Sequence, residues 1–414
     1  MTHPDPDLLR AALTHELPTA LAHLREWVGI NSHTHHREGV NALGHATAEA
    51  FAPLGFTAEY VPCVDARCGQ HLFLRRPGRD RKSLLCVTHL DTVFPSAEEA
   101  RENFRWREAE GRIYGPGVVD IKGGTALIWL QLRALQAASS ALFEHYEWVV
   151  ACNSAEETLG DDFAEATLAR FGDHAIAALV YESGTLQKNK FNLVVARKGR
   201  SQFRVTTAGR GAHAGSCHAD GVNAIAELAG LIPQIEALTD PARGLTANVG
   251  LIRGGEALNR VPHFAELEGE LRAFDPAALI AAENAVLELE GPGQIAAAAD
   301  GFRCQVKAEI TGGTPAWPEN AKTQLLFEIY TRAAAKLGVT VQAESRGGLS
   351  DGNLLAKHLP TLDGLGPAGG NAHASEWSDN PVARKRPEYL DPASILPKAL
   401  LNLAAIAELA EANG

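Results

Sequence analysis

Two histidines and five carboxylate side chains could together bind metal ions and move protons. They fall in the segments His89-Leu-Asp91, Asp120, Glu156-Glu157, Glu182 and His373. Zinc in hydrolytic sites takes imidazole and carboxylate ligands, and cobalt or manganese accept the same mixed nitrogen and oxygen set. Two His, one Asp and two Glu are the inventory of a site for two zinc ions. Two further carboxylates are then left, one of which can move protons, so the chemistry would be hydrolysis.

His89 and Asp91 form the first of these segments. A carboxylate two residues beyond a ligand histidine can accept the imidazole's other N–H, which fixes the tautomer and makes the ring a better ligand. By itself the pair is more typical of a cap at a strand-to-helix turn. Glu182 and His373, taken singly, also have ordinary structural roles as alternatives.

Asp120 lies in the glycine-rich stretch from Gly115 to Gly124. Two of its glycines have the spacing of a dinucleotide-binding loop, but Asp120 stands where the third glycine is needed, and its carboxylate would repel a pyrophosphate. An Asp held at a helix start is instead well placed to bridge two cations, and the alternative is an ordinary N-cap. The adjacent Glu156 and Glu157 point different ways on a tight turn, so one can bind metal while the other handles protons; the alternative is a solvated helix start.

Three of these segments directly follow apolar runs that predict buried strands. The runs are 83–88, 147–152 and 175–180. Open α/β sheets place their sites at the carboxyl ends of such strands, so the sequence predicts that these segments converge. Helical spacing of apolar residues predicts helices at 8–28, 40–54, 120–138 and 393–410.

The pattern changes to polar and apolar alternation at 202–207 and again at 264–272, with a predicted helix at 221–238 between them. Strands with one wet face plus helices indicate a small α+β domain. We therefore predict an α/β catalytic domain with a mixed central sheet flanked by helices, formed by residues 1–196 and 313–414. An α+β lid or dimerisation domain would be inserted at 197–312.

Bulk properties narrow the class of protein. A chain of 414 residues exceeds one ordinary core, and its formal net charge of −12 argues against nucleic acid or an anionic membrane as a partner. We expect no secretory signal, and no run approaching the roughly 20 apolar residues of a membrane span. Six scattered cysteines without a CxxC pair favour a reducing compartment, and so the cytoplasm. For Cys63 and Cys68, a disulfide or a metal contact is the alternative.

The order of these motifs, with Gly-Pro-Gly-x-x-Asp-x-Lys-Gly-Gly at 115–124, resembles the co-catalytic zinc peptidase family of carboxypeptidase G, acetylornithine deacetylases, aminoacylases and carnosinase-type dipeptidases. The resemblance covers essentially the whole chain. It implies that Asp120 bridges two zinc ions and that the Asp120–Ile121 peptide bond is cis. It also implies that His89 and Glu182 complete one ion site and that His373 and Glu157 complete the other. Glu156 would then be the general base and Asp91 the partner of His89.

The inserted domain also carries the resemblance. The stretch from Gly209 to Gly215 is similar to the family's lid motif, whose histidine, here His213, reaches the partner subunit's active site and steadies the oxyanion. Asn259 begins an Asn-x-x-Pro segment, and Arg272 stands where the family has an arginine that can clamp a substrate carboxylate. A turn histidine and a solvent-facing arginine are the alternatives. A homodimer through this domain is implied.

The implied reaction is cleavage of an amide bond next to a free carboxylate by a hydroxide held between the ions. The substrate would be a small peptide or an N-acyl-amino acid. The stretch after His373 and the long segment before Glu388-Tyr389 look more like the glutamate carboxypeptidase branch, with an N-acyl-amino-acid deacylase or dipeptidase as the alternative. Ser154-Ala155 precedes the Glu pair where many relatives have an Asp. Glu376-Trp377 comes early, so we take Glu388-Tyr389 as the family equivalent and 378–387 as a loop insertion at the rim of the substrate pocket.

Two rival functions start from other features. Gly348-Leu-Ser350-Asp-Gly352 spells GxSxG, and Asp363 and His373 follow in the order of an α/β-hydrolase. A nucleophile elbow should follow a buried strand, whereas the stretch before Gly348 is polar. The segment 347–351 instead resembles the family's Gly-Gly-x-Ser/Thr-Asp loop, which lines the site. A metal-free binding scaffold is the second rival, although every proposed ligand is present.

Overall fold

The computed structural model describes residues 4–158, 160–379 and 385–412. The chain divides into two compact units. The first comprises Met1–Val195, Glu319–Ser345 and Ser350–Gly414, and the second comprises Ala196–Pro318 and Arg346–Leu349. The second unit extends beyond the predicted inserted range of 197–312, and its role as a lid or dimerisation domain stays a prediction.

The described helices follow in chain order: α1 Pro6–Val28, α2 Arg37–Phe51, α3 Ser96–Glu102, α4 Lys122–Ala138, α5 Ser140–Phe143, α6 Asp162–Phe171, α7 Ala224–Glu236, α8 Pro276–Leu287, α9 Ala321–Lys336, α10 Asp351–Leu355 and α11 Ile395–Ala412. A 3₁₀ turn at Glu156–Thr158 carries the Glu pair.

The described strands follow in chain order: β1 Thr57–Pro62, β2 Gln70–Arg76, β3 Ser83–His89, β4 Arg107–Ala109, β5 Arg112–Tyr114, β6 Glu147–Asn153, β7 Ala175–Val180, β8 Thr185–Gln187, β9 Lys190–Arg197, β10 Gly199–Ala208, β11 Thr246–Gly254, β12 Phe264–Ala273, β13 Gly291–Ala296, β14 Arg303–Thr314, β15 Thr340–Arg346, β16 Thr361–Leu362, β17 Gly369–Gly370 and β18 Tyr389–Leu390.

The central sheet of the first unit has the strand order β1-β2-β6-β3-β7-β16. It is mixed, because β6, β3, β7 and β16 run parallel while β2 pairs antiparallel with β6, and β1 antiparallel with β2. The carboxyl ends of β6, β3 and β7 are therefore neighbours along one edge of the sheet. The chain segments that leave these strands consequently start side by side.

Both faces of this sheet are covered, which explains why every residue of β3 is buried. Alternate side chains of a strand point to opposite faces. Leu84 and Cys86 join the larger core, to which α1, α4, α9 and α11 contribute. Leu85 and Val87 join a second core with residues of α6 and α10. The apolar run at 83–88 is thus continuous because neither face of the strand meets water.

The second unit is an antiparallel sheet with the order β11-β12-β10-β14-β13. In β10 the alternate residues Ser201, Phe203, Val205 and Thr207 are buried. Apolar residues of α7 and α8 join the same core as Phe203 and Val205. The polar and apolar alternation of the sequence therefore reflects a sheet with helices on one face.

The strands predicted around the site agree with β3, β6 and β7, and the predicted helices agree with α1, α2, α4, α7 and α11. The predicted α/β class with a mixed, helix-flanked sheet is confirmed. Strand β1 was not predicted, because as an edge strand it has mostly exposed residues and no apolar run.

The C-terminal segment Pro392–Ala412 departs from one expectation. By length and composition this helix could cross a membrane, although no segment of the sequence was expected to approach that limit. Within the protein, 78% of its most apolar stretch is buried. It packs against α1, α4 and α9, so it is a core helix of the first unit. The cellular location of the protein stays a prediction.

Candidate metal centre

Asp120 faces two histidines with its two carboxylate oxygens. Its Oδ1 lies 3.1 Å from Nε2 of His89, and its Oδ2 lies 3.3 Å from Nε2 of His373. These histidines are 284 residues apart in sequence (373 − 89), and the Asp120 carboxylate lies between them. A carboxylate placed between two imidazoles in this way has the arrangement of a ligand shared by two ions.

One further carboxylate lies beside each histidine. Oε1 of Glu182 is 3.6 Å from Nε2 of His89, and Oε2 of Glu157 is 3.3 Å from Nε2 of His373. Ligand atoms about 2.0–2.1 Å from a tetrahedral zinc ion are about 3.3–3.4 Å from one another. The donor spacing therefore fits zinc, and the structure brings all five predicted ligand residues together.

The backbone around His89 fixes which ring nitrogen is available. Nδ1 of His89 lies 3.0 Å from the backbone oxygen of Asp91 and 3.4 Å from its carboxylate Oδ1. Because a carbonyl oxygen only accepts, Nδ1 is a donor, and Nε2 is the nitrogen that faces the other carboxylates and is available to an ion. The sequence-based expectation gave this contact to the Asp91 carboxylate, whereas the shorter contact is to its carbonyl.

The Asp91 carboxylate instead holds the turn that carries Glu156 and Glu157. Its Oδ1 accepts the Glu156 N–H at 3.0 Å, and its Oδ2 accepts the Glu157 N–H at 3.2 Å. The Thr34 hydroxyl donates to the same Oδ2 at 2.7 Å. Asp91 thus links the histidine at the end of β3 to the Glu pair after β6.

The electrostatics of the cluster require positive charge. The carboxylates of Asp120 and Glu157 raise the pKa of His373 to about 10. Burial would lower the pKa of His89, but Asp120 and Asp91 outweigh it and raise that pKa well above its ordinary value. Burial, together with the like charges of Glu182 and Asp351, raises the pKa of Glu156 well above its ordinary value. Divalent cations would supply the positive charge that imidazolium protons supply here.

Local structure places these side chains. His89 is the last residue of β3, Glu156 and Glu157 follow β6, and Glu182 follows β7. Asp120 precedes α4, and the Asp120–Ile121 peptide bond is cis, as the resemblance implies. His373 has a positive φ of 67°, an uncommon conformation for a residue other than glycine.

Several buried residues support the cluster and were given no role from the sequence. Oε1 of Glu388 accepts the N–H groups of Val119 at 2.8 Å and Asp120 at 3.0 Å, so it fixes the backbone of the shared carboxylate. Oδ1 of Asp351 accepts from Nδ2 of Asn153 at 2.8 Å. The Glu388-Tyr389 motif was a usable signal for the first contact. The resemblance of 347–351 to the family's site-lining loop was a signal for Asp351, and no sequence signal pointed to Thr34.

Ser350 does not have the surroundings of a nucleophile. It is buried, its hydroxyl donates to Oδ2 of Asp363 at 2.8 Å, and it accepts the Gly352 N–H at 3.1 Å. The bond from the Gly352 N–H caps α10. His373, the third member of the supposed triad, lies instead with Asp120 and Glu157. The geometry therefore speaks against the serine hydrolase alternative.

The predicted functional residues of the second unit make their described contacts with other residues of that unit. His213 is exposed, and its Nδ1 accepts the N–H groups of Gly215 and Ser216, each at 3.1 Å. The Ala214 N–H donates to the Asn259 carbonyl at 2.9 Å, so the two predicted segments are adjacent. Because amide N–H groups only donate, His213 carries its proton on Nε2.

Arg272 is already engaged. Its Nε and Nη2 donate to the two carboxylate oxygens of Glu270 at 2.8 and 3.0 Å, and its Nη1 donates to the Gly347 carbonyl at 3.2 Å. This pairing was not anticipated, although residues two apart on a strand share a face. The role of Arg272 toward a substrate stays a prediction.

The predicted loop insertion at 378–387 falls partly outside the described residues, which exclude 380–384. The Ser378 N–H donates to the Lys385 carbonyl at 2.9 Å. The ring of Trp377 lies under the guanidinium groups of Arg107 and Arg386, at 3.9 and 4.4 Å. The contribution of this segment to a substrate pocket stays a prediction.

Known proteins resemble the chain over most of its length. Residues 85–384 match the peptidase family M20/M25/M40. The chain is 27% identical to carboxypeptidase G2 of Pseudomonas sp. (strain RS-16) over 405 residues, which are 95% of this chain and 90% of that protein. It is 30% identical to acetylornithine deacetylase of Proteus mirabilis over 244 residues, 56% of this chain and 60% of that protein. A tripeptidase structure from Staphylococcus aureus matches 99% of this chain and 100% of that chain, with a TM-score of 0.73 and 20% identity.

The fold and the cluster of imidazole and carboxylate donors define a metal-binding hydrolase. The chain belongs to the peptidase family M20/M25/M40, so the family predicted from its motifs is confirmed. It is an enzyme of the metallopeptidase class, related to carboxypeptidases and deacetylases.

Proposed function

We propose that this enzyme is a dinuclear zinc carboxypeptidase that cleaves an amide bond next to a free carboxylate, with glutamate as the preferred released amino acid. The observation that carries the proposal is the Asp120 carboxylate, which faces His89 with one oxygen and His373 with the other. The likeness to carboxypeptidase G2 spans 90% of that protein, which favours a carboxypeptidase. The shorter but slightly more identical match to acetylornithine deacetylase supports an N-acyl-amino-acid deacylase as the second candidate.

In this proposal His89, Asp120 and Glu182 hold one ion, while His373, Asp120 and Glu157 hold the other. The donors are all nitrogen or oxygen, which suits zinc, with cobalt or manganese as the alternatives. When bound, the ions would polarise the amide carbonyl and acidify the attacking water. The protein's own contribution is to position these donor atoms and to accept and deliver the protons of the reaction.

Glu156 would accept the proton of the attacking water and deliver it to the leaving nitrogen. It is 7% exposed, and the Asp91 carboxylate holds its backbone N–H. Oε2 of Glu156 lies 4.0 Å from Nε2 of His89, farther than the nearest oxygens of Asp120 and Glu182. This position suits a neighbour of the ions better than a ligand.

The second unit would contribute binding groups. In the proposed homodimer, the Nε2–H of His213 would donate to the developing oxyanion in the partner's site. The two amide donors on its Nδ1 support this role, because they leave Nε2 as the proton-bearing nitrogen. Arg272 and Asn259 would bind the carboxylate of the released amino acid.

The test compares hydrolysis across N-acylglutamates, folate-type glutamates, dipeptides and N-acyl derivatives of neutral amino acids. Enzyme treated with a chelator should be inactive on all of them and should regain activity with added zinc, because catalysis at this cluster depends on bound ions. The glutamate substrates should turn over fastest, while their α-amides should be poor substrates. Activity that survives chelation would contradict the metal mechanism, and a preference for N-acetylornithine would replace the carboxypeptidase by the deacylase.

Glu270 should set how strongly Arg272 attracts a substrate carboxylate. Arg272→Ala should lower kcat/KM for glutamate substrates about 10- to 100-fold, the weight of a charge-assisted hydrogen bond. Glu270→Gln removes the carboxylate charge that would compete with the substrate for the Arg272 guanidinium. KM should therefore fall about two- to fivefold, as expected for a partly exposed ion pair. Steady-state kinetics on a substrate and its α-amide measure both effects.

Glu268→Gln is the matched control for Glu270→Gln. Glu268 lies two residues earlier on β12 and pairs with Arg204 at 3.1 Å. It should leave KM unchanged. An equal drop in KM for both variants would point to a general charge effect on the second unit rather than to competition at Arg272.

A further inference from the structure

The turn that presents Glu156 is anchored on a second side, away from Asp91. Ser154, two residues before Glu156, is fully buried. Its backbone N–H donates to Nδ1 of His71 at 3.2 Å, and its hydroxyl donates to the Gly69 carbonyl at 3.0 Å. His71 lies on β2, which pairs with β6, so a neighbouring strand supplies this anchor.

His71 is in turn held by Asp162. The ring is 1% exposed, and its Nε2 lies 3.1 Å from Oδ2 of Asp162. The same oxygen accepts the Val64 N–H at 2.8 Å. Burial would raise the pKa of Asp162, but the contacts to Val64 and His71 outweigh it and lower that pKa. Asp162 is thus an acceptor held by the Val64 N–H, the His71 ring and the Cys63 thiol.

The direction of these bonds determines the tautomer of His71. The Ser154 N–H can only donate, so Nδ1 is an acceptor and the ring proton is on Nε2, where it donates to Asp162. His89 has the opposite arrangement, with its proton on Nδ1. In each ring the backbone partner therefore fixes the role of Nδ1, an acceptor in His71 and a donor in His89.

This tautomer argues against a metal at His71. Donor atoms of Cys63, His71 and Asp162 all lie within 4.8 Å of one another, a spacing that could hold an ion. Binding through Nε2 would put the ring proton on Nδ1, directly against the Ser154 N–H. Cys63 and Cys68 are both free thiols in the structure, so the disulfide considered from the sequence is absent among the described residues.

We infer that His71, oriented by Asp162, is a positioning residue for the general base: it fixes the Ser154 amide and thereby the direction in which the turn presents Glu156. The inference rests on the proposed function, in which Glu156 moves the proton. His71 acts through the backbone, and its contribution is the acceptor at Nδ1. Small displacements of a catalytic group lower turnover more than binding, so the effect should fall on kcat.

Three substitutions distinguish the contribution of Nδ1 of His71 from that of Nε2. His71→Asn keeps an acceptor oxygen near the position of Nδ1, and His71→Gln keeps a donor near the position of Nε2. His71→Leu removes both. We expect His71→Leu to lower kcat by up to about 100-fold with KM and bound zinc unchanged. His71→Asn should recover most of the loss and His71→Gln little of it.

The measurement is kcat and KM per folded, zinc-loaded molecule, with the folded fraction taken from thermal unfolding. His174→Leu is the control, because His174 pairs with Glu147 at 3.1 Å at the opposite end of β6. It should leave kcat unchanged. If His71→Leu does not fold, the two amide variants alone decide the matter.

Equal rescue by Asn and Gln, rescue by neither, or a loss confined to KM would overturn the inference. Failure of the proposed function would appear in a different experiment, in which the Glu156 variants would hydrolyse the substrate as fast as the wild-type enzyme. The two failures are therefore distinguishable before any His71 variant is compared.

Discussion

Glu156→Gln should lower kcat by about 10²- to 10⁴-fold, the usual contribution of general acid–base catalysis, while the enzyme keeps both metal ions. The amide keeps the size of the side chain but cannot accept the proton of the attacking water. Burial and neighbouring carboxylates raise the pKa of Glu156, which suits a group that must also return the proton to the leaving nitrogen. Glu156→Ala should behave in the same way.

Metal content decides between two roles for Glu156. Its carboxylate lies close enough to His89 and Glu182 to share an ion with them. A ligand would take metal with it when replaced, whereas a base would not. Metal analysis and kinetics are therefore run on the same preparations, with exposed Glu165→Gln as the control. Intact turnover in Glu156→Gln would remove the base assignment, and loss of one ion would make Glu156 a ligand.

Asp120→Ala should abolish binding of both ions and reduce hydrolysis to background. The reason is geometric, because the two carboxylate oxygens of Asp120 face the two histidines at 3.1 and 3.3 Å. Glu182→Ala and Glu157→Ala each remove a carboxylate that is proposed to complete one ion site only. They should therefore cost one ion each. Metal content per chain after dialysis against dilute zinc measures the difference.

The control for Asp120→Ala is Asp173→Ala, which removes an exposed carboxylate outside the cluster. It should retain two ions per chain. An Asp120→Ala enzyme that keeps both ions would show that the two sites do not share this carboxylate. Such a result would separate the family assignment, which would stand, from the dinuclear mechanism, which would not.

The sequence was informative where local pattern and sheet geometry act together. The apolar runs at 83–88, 147–152 and 175–180 had to be buried strands, and they became β3, β6 and β7. Since parallel strands end at one edge of a sheet, His89, the Glu pair and Glu182 were expected to converge there, and they do. Their types then limited the chemistry to metal binding and proton transfer.

Asp120 and His373 follow no such strand, so sheet geometry did not predict that they would lie with the others. The contact from Glu388 to the Asp120 backbone spans 268 residues, and the contact from Asp351 to Asn153 spans 198. Separations of this size leave no periodic trace in the sequence. The partners are selected by tertiary packing, which brings loops from distant elements against the same strand ends.

The direction of hydrogen bonds was likewise decided by the fold alone. The sequence contains Glu270 and Arg272 on one strand face, yet only the structure shows that the guanidinium fork is occupied. Ser350 lies in a sequence that matches a nucleophile motif, but in the structure it is a buried residue that caps a helix.

By itself, then, the sequence determined which side chains could do chemistry and on which edge of the sheet most of them gather, because both follow from residue type and local periodicity. Only the tertiary structure decided which nitrogen of each histidine faces the cluster, which oxygen of Asp120 faces which histidine and which carboxylates merely hold the backbone. Those properties depend on partners that lie far apart along the chain and meet only when it folds.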